Sequence, residues 1–210
     1  MNKTKKRILE TTIRLFNRDG FANVSLPLIA DIVGISLGNL TYHFHKKEDL
    51  IHSFYALFQE ELANITKGYE VILDLGRMNE QLQGFYEFQQ RFRFFYLDLL
   101  EVERAFPLIA EKHQKHIEGQ INGLTKSFND NAALGYLVAY ENPKIYQHLG
   151  QQFWMCIVFW PMQLAVRGME GTIDEMNQSA WLLVLPHTTE KGRRKFDSIF
   201  NINNNHGDNN

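Results

Sequence analysis

Apolar side chains recur at helical spacing along nearly the whole chain, and period-two alternation never lasts more than a few residues. This pattern leaves strands nothing to build on and dictates an all-α fold. The first stripe, Ile8, Leu9, Thr12, Ile13 and Phe16, predicts a helix over residues 3–18 that stops at Asp19-Gly20. Short helices follow over 26–33 and 37–44, and a longer one starts near Lys47 with Leu50, Phe54, Leu57, Phe58 and Ile65 turned inward. Beyond it, helices are expected over 78–102, 107–129, 143–167, 172–185 and 187–200. Pro107 and Pro143 suit first turns, Pro161 should bend its helix, and Pro186 should interrupt the chain before the last helix. The last ten residues contain six Asn and are expected to be disordered. The change from short to long helices divides the chain into residues 1–62, residues 63–200 and a tail at 201–210.

Composition narrows the class. With 210 residues and 44% hydrophobic content, the chain can bury a sizeable core. A single cysteine, Cys156, excludes an internal disulfide framework and fits a reducing compartment, where its apolar neighbours make it an inert buried thiol. No apolar run approaches the roughly 20 residues that cross a bilayer, and no signal-type segment follows the basic start, so the expected location is the cytoplasm. Residues 1–50 carry eight Lys/Arg against five Asp/Glu, while the remainder carries fourteen against nineteen. A basic head on an acidic body directs any anionic partner to the head.

Residues 25–50, S-L-P-L-I-A-D-I-V-G-I-S-L-G-N-L-T-Y-H-F-H-K-K-E-D-L, give that head a purpose. Two short helices joined by a tight turn need a small residue between them, and Ala30 supplies it. Four residues on, Gly34 tolerates a left-handed turn, and Ser36 is a good N-cap for the second helix. Ile29, Val33, Ile35 and Leu40 fill the space between. This is a helix-turn-helix, whose second helix enters the DNA major groove. Gly38 allows close approach, Asn39 and Thr41 can read base edges, and Tyr42, His43 and Lys47 are residue types that hold phosphates. Ser25 offers its hydroxyl and a helix N-terminus to a phosphate.

The order and spacing of D-G-F, V-S, I-A-D-I-V-G-I-S, G-N-L-T-Y-H-F and K-K-E-D-L over residues 5–62 resemble the DNA-binding domain of the tetracycline-repressor (TetR) family of bacterial regulators. The resemblance implies a three-helix DNA-binding domain, a helical domain for effector binding and dimerisation, and a homodimer released from operator DNA by a small molecule. By position, it implies phosphate contacts from Ser25, Tyr42, His43 and Lys47. The implied groove-facing set is Leu37, Gly38, Asn39 and Thr41, behind the Ser36 cap. Leu37, Thr41 and Lys46 depart from the residue types common in the family, which leaves the operator sequence open.

Elsewhere the sequence offers weaker signals. Phe88, Phe92, Phe95 and Tyr96 lie in an aromatic helix and are candidates to line a pocket for an apolar or aromatic effector, with core packing as the alternative. Phe153, Trp154, Ile157 and Val158, followed by Trp181 and Val184, predict apolar surface too extensive for one chain to cover, so these six are the candidate dimer interface. His113 and His116 stand in the polar run E-K-H-Q-K-H-I-E, which reads as a solvated face rather than a metal pair. No Gly-rich phosphate loop, G-x-S-x-G elbow or H-E-x-x-H is present, so no catalytic residue, metal or cofactor is expected. The leading expectation is a ligand-responsive, DNA-binding repressor. The competing classes are a helical binding or interaction protein without DNA function, and an enzyme.

Overall fold

The computed structural model of the chain describes residues 2–65 and 74–200. Among the described residues every regular element is helical, and the one exception to helical pairing is an isolated antiparallel bridge between Leu137 and Thr188. The chain separates into two compact units, one from Met1–Asn64 with Glu87–Gln114, the other from Ile65–Tyr86 with Lys115–Asn210. The tail at 201–210, expected to be disordered, lies outside the described residues.

In the first unit, the Asn2 side chain accepts the Lys5 N–H at 2.8 Å and starts α1 (Lys3–Asp19), whose expected stripe of Ile8, Leu9, Thr12, Ile13 and Phe16 is buried. Next come α2 (Leu26–Val33), α3 (Leu37–His43) and α4 (Lys47–Ile65), of which α4 buries Leu50, Phe54 and Phe58. The helix expected over 78–102 is broken twice, into α5 (Leu75–Arg91), α6 (Arg93–Leu97) and α7 (Leu99–Ala105). Both breaks have a tertiary cause. The Asn17 amide donates to the Arg91 carbonyl at 2.8 Å, and its oxygen accepts the Phe94 N–H at 2.9 Å, so α1 takes over backbone bonds on both sides of Phe92. At the second break, the Asp98 carboxylate accepts the Phe21 N–H at 2.8 Å. Arg91 also reaches Glu10 at 2.8 Å and Glu61 at 3.0 Å, tying the end of α5 to α1 and α4.

These bonds close a shell around an aromatic core. Phe58 lies with ring centroids 4.7 Å from Phe88, 5.5 Å from Phe92 and 4.7 Å from Phe95, and Phe54 lies 4.7 Å from Phe94. Edge-to-face and tilted arrangements of this kind add to the burial energy of the rings. α8 (Pro107–Ala133) begins here, and it brings a correction: His113 is buried rather than solvated, with Nδ1 2.7 Å from Glu103. Burial lowers its pKa, against the opposing pull of Glu103.

The second unit contains most of α8 and the start of α5, with α9 (Lys144–Val158), α10 (Trp160–Val166), α11 (Ile173–Val184) and α12 (Glu190–Phe200). The helix expected over 143–167 breaks at Phe159, with Pro161 in the first turn of α10. Thr172 and Glu175 form a capping box that starts α11. Pro186 falls in a 3-10 turn, Leu185–His187, and α12 therefore begins three residues later than expected. Phe153 of α9 meets Trp181 of α11 at 5.8 Å, and the Trp181 indole donates to the Asn79 side chain at 2.9 Å.

That packing corrects the interface expectation. Phe153, Trp154, Ile157, Val158, Trp181 and Val184 are each at most 9% exposed within the single chain. They are core: Phe153 packs on Trp181 of α11, and the Trp154 indole donates to Gln120 of α8 at 2.9 Å. The apolar side chains that α9 and α11 leave outside are Met155, Phe159 and Leu182, at 46%, 38% and 60% exposure. Cys156 is half-buried, and burial pushes its thiol pKa up.

Candidate nucleic-acid interface

The Ser25 hydroxyl accepts the Leu28 N–H at 3.4 Å and caps α2, which keeps its own O–H available as a donor at a helix N-terminus. Gly34 ends α2 in the left-handed conformation (φ 74°, ψ 41°), and the Ile35 N–H returns to the Ala30 carbonyl at 3.0 Å. Ser36 then caps α3 by accepting the Asn39 N–H at 3.1 Å. Ala30 and Leu40 are buried where α2 and α3 meet. Three local devices read from the sequence, at Ala30, Gly34 and Ser36, thus fix the angle of α3.

With Leu40 inward, the opposite side of α3 faces solvent. Leu37 is 45% and Tyr42 79% exposed, and Gly38 and Asn39 are also exposed. Thr41 and His43 are half-buried at its margins. The Thr41 hydroxyl donates to the Gly38 carbonyl at 3.1 Å, so this residue presents its methyl and lone pairs rather than a free donor. Gly38 is more informative. A Cβ built there meets only Ser36 Oγ, at 4.0 Å, so nothing within the chain requires the missing side chain.

Lys47 behaves differently from the sequence expectation. Its ammonium donates to the Phe21 carbonyl and sits 4.0 Å from the Phe21 ring centroid, and burial lowers its pKa while Glu101 opposes the shift. It holds the entry to α4 against the loop after α1 instead of projecting outward. Replacing Lys47 with Met is therefore expected to cost about 1 kcal/mol of stability in a denaturant titration. The slope of log affinity against log salt should stay within experimental error of the unmodified chain's. A fall of about 0.9, the value for one lost phosphate contact, would instead place Lys47 on the DNA.

One cation escaped the sequence reading. Lys5 of α1 lies with Nζ 4.9 Å from the ring of Phe44, the residue that ends α3. The run Lys3, Lys5, Lys6, Arg7 signalled only a basic head; its neighbourhood with α3 comes from packing.

The expected effector residues pack as core, the alternative that the sequence left open. Phe88, Phe92, Phe95 and Tyr96 are at most 5% exposed and belong to the aromatic core of the first unit. A cavity of about 40 Å³ opens instead within the second unit, lined by Ile65, Met78, Leu82, Phe85, Leu124, Phe153, Trp154 and Ile157 with the amides of Gln81 and Gln120. Three of these, Phe153, Trp154 and Ile157, were expected at a dimer interface. Among the described residues no cluster of metal-binding side chains occurs, and no helix is long and apolar enough to cross a membrane.

Comparison with known proteins agrees with this geometry. A family model described as bacterial regulatory proteins, tetR family, matches residues 8–54, and one described as bacterial transcriptional repressor, TetR, matches residues 57–196. The chain is 47% identical over 53 residues to the uncharacterized HTH-type transcriptional regulator YerO of Bacillus subtilis, covering 25% of this chain and 18% of that protein. It is 29% identical over 68 residues to the HTH-type transcriptional regulator AcrR of Shigella flexneri, covering 32% of each. These matches span under a third of either curated relative. The fold likeness extends further: a TetR-family transcriptional regulator from Marinobacter aquaeolei superposes with a TM-score of 0.83 over 94% of this chain and 97% of that one, at 21% identity.

Proposed function

Because the chain belongs to the tetracycline-repressor (TetR) family of bacterial transcriptional regulators, we propose that it is a repressor that binds a two-fold symmetric operator as a homodimer and is released by a small molecule. Residues 1–62 act as the DNA-binding module and residues 63–200 as the effector and dimerisation module. The protein works in the cytoplasm, without catalysis.

The observation that carries this reading is the outward side of α3. Asn39 and the Thr41 methyl are positioned to meet base edges, Leu37 offers apolar contact, and Gly38 lets the helix backbone come close. Ser25, Ser36, Tyr42 and His43 flank that face with groups suited to phosphate oxygens. Lys47 supports the arrangement from behind. A helix of this length touches few base pairs, so useful specificity takes two heads spaced about 34–36 Å apart, or a multiple of a DNA turn. The exposed Met155, Phe159 and Leu182 support a second copy as the partner that covers α9 and α11.

The cavity in the second unit supports an effector site. To release DNA, the effector must bind the conformation with the wrong head spacing better than the DNA-competent one, since equal affinity shifts nothing. By linkage, operator DNA weakens effector binding by the same factor.

Gly38→Ala tests the role of α3. Alanine favours a helix interior by about 1 kcal/mol over glycine, and the open space at Gly38 admits the methyl. The variant is expected to melt at the same or a higher temperature while binding selected DNA fragments more weakly by fluorescence anisotropy. Undiminished DNA affinity in the stabilised variant would mean that this helix does not approach the groove closely.

A further inference from the structure

The walls of the second-unit cavity constrain what enters it. Among the described residues that line it, none carries a charge. Moving an ion into such a site without a counter-charge costs several kcal/mol, so neither a cation nor an anion is matched. The polar groups are two carboxamides, and one is oriented. The Trp154 indole donates to Gln120 Oε1 at 2.9 Å. An indole N–H can only donate, so this contact fixes which end of the Gln120 amide is oxygen. With its oxygen engaged, Gln120 has only its NH2 group, a pure donor, to offer a molecule in the cavity that it lines with Leu124, Phe153 and Ile157.

We infer that this cavity takes an uncharged, mostly apolar molecule carrying one hydrogen-bond acceptor, such as a ketone or lactone oxygen, and that Gln120 is the residue that reads the acceptor. The inference deepens the effector reading and rests on it for its biological meaning. Its chemistry rests on the lining alone. At about 40 Å³ the cavity is far below the roughly 300–1,000 Å³ of ordinary ligand sites, so an occupant must push the walls outward as it enters. The flexible Met78 thioether and the side chains of Leu82 and Phe85, all on α5, form the apolar wall that yields.

The test uses the full chain without DNA and four probes that share one phenyl body: acetophenone, ethylbenzene, benzoate and benzyltrimethylammonium. Calorimetric titration is expected to rank acetophenone first, ethylbenzene second and the two ions last. Gln120→Glu keeps an acceptor for the Trp154 indole but removes the NH2 donor. It is expected to lower the acetophenone-to-ethylbenzene affinity ratio by roughly 2- to 10-fold, the worth of one hydrogen bond, and to raise affinity for benzyltrimethylammonium. Leu124→Trp, which fills the cavity, should abolish binding of all four. The inference is overturned if either ion binds the unmodified chain better than acetophenone, if acetophenone does not bind, or if Gln120→Glu leaves the ratio unchanged. Should acetophenone bind as described yet leave affinity for selected DNA unaltered, the effector reading fails while the ligand class stands.

Discussion

A Phe58→Ala chain is expected to be about 3–5 kcal/mol less stable than the unmodified chain, measured as the shift of its urea unfolding transition. Phe58 is 1% exposed, and its ring lies within 5.5 Å, centroid to centroid, of Phe88, Phe92 and Phe95. Truncation removes the apolar area of the ring and leaves a void, because rings fixed by Asn17 and Asp98 bonds to the backbone cannot collapse inward. DNA binding should fail with it, although Phe58 lies outside α3, since α4 loses its seat against Phe88 of α5 and Phe95 of α6. A loss below 1 kcal/mol would mean that these rings repack freely and that the aromatic cluster is not the foundation of the head.

Leu182→Glu is expected to act in the opposite manner, with little effect on the fold and a large one on assembly. Leu182 is 60% exposed, so a carboxylate there stays in water in the single chain. In a homodimer it places like charges across a two-fold axis in an apolar contact. Sedimentation should show dimers for the unmodified chain and well-folded monomers for the variant. Without a second head, affinity for a palindromic site should fall toward the nonspecific level, on the order of 10³-fold. Val158→Glu provides the contrast: at 5% exposure it buries a charge in the core and should unfold the unit rather than merely split a dimer. A stable native monomer for the unmodified chain, or a Leu182→Glu dimer of full affinity, would contradict the proposed assembly.

What the sequence made legible was chemistry confined to a few neighbouring residues. Ala30, Gly34 and Ser36 act within one turn of their own positions, so their roles could be read directly and the helix-turn-helix followed. The breaks at Phe92 and Asp98 could not be read that way. Their causes, Asn17 and the Phe21 N–H, act through bonds to Phe94 and Asp98 that each span 77 residues of chain. Lys47 went astray for the same reason: its ammonium is drawn to a carbonyl 26 residues earlier, which residue type alone does not reveal. In α9, periodicity identified a helix apolar on more than one side but could not divide those sides between core and partner. Packing against the other helices of the unit, α11 at Phe153 and α8 at Trp154 among them, put Phe153, Trp154, Ile157 and Val158 in the interior and left Met155 and Phe159 outside. The cavity was invisible for a related reason, since its walls come from several helices and no single stretch carries the pattern.

In the proposed function, α3 reads DNA as one of a symmetric pair. Selection of bound fragments from a random DNA pool, carried out in parallel with the unmodified chain and with Asn39→Ala, tests it most directly. Palindromic sites are expected for the unmodified chain, with half-site centres one DNA turn or a multiple apart, and the same sites for the variant with preference relaxed at matching positions in both halves. Selected sites without dyad symmetry, or an Asn39→Ala pool indistinguishable from the original, would contradict it.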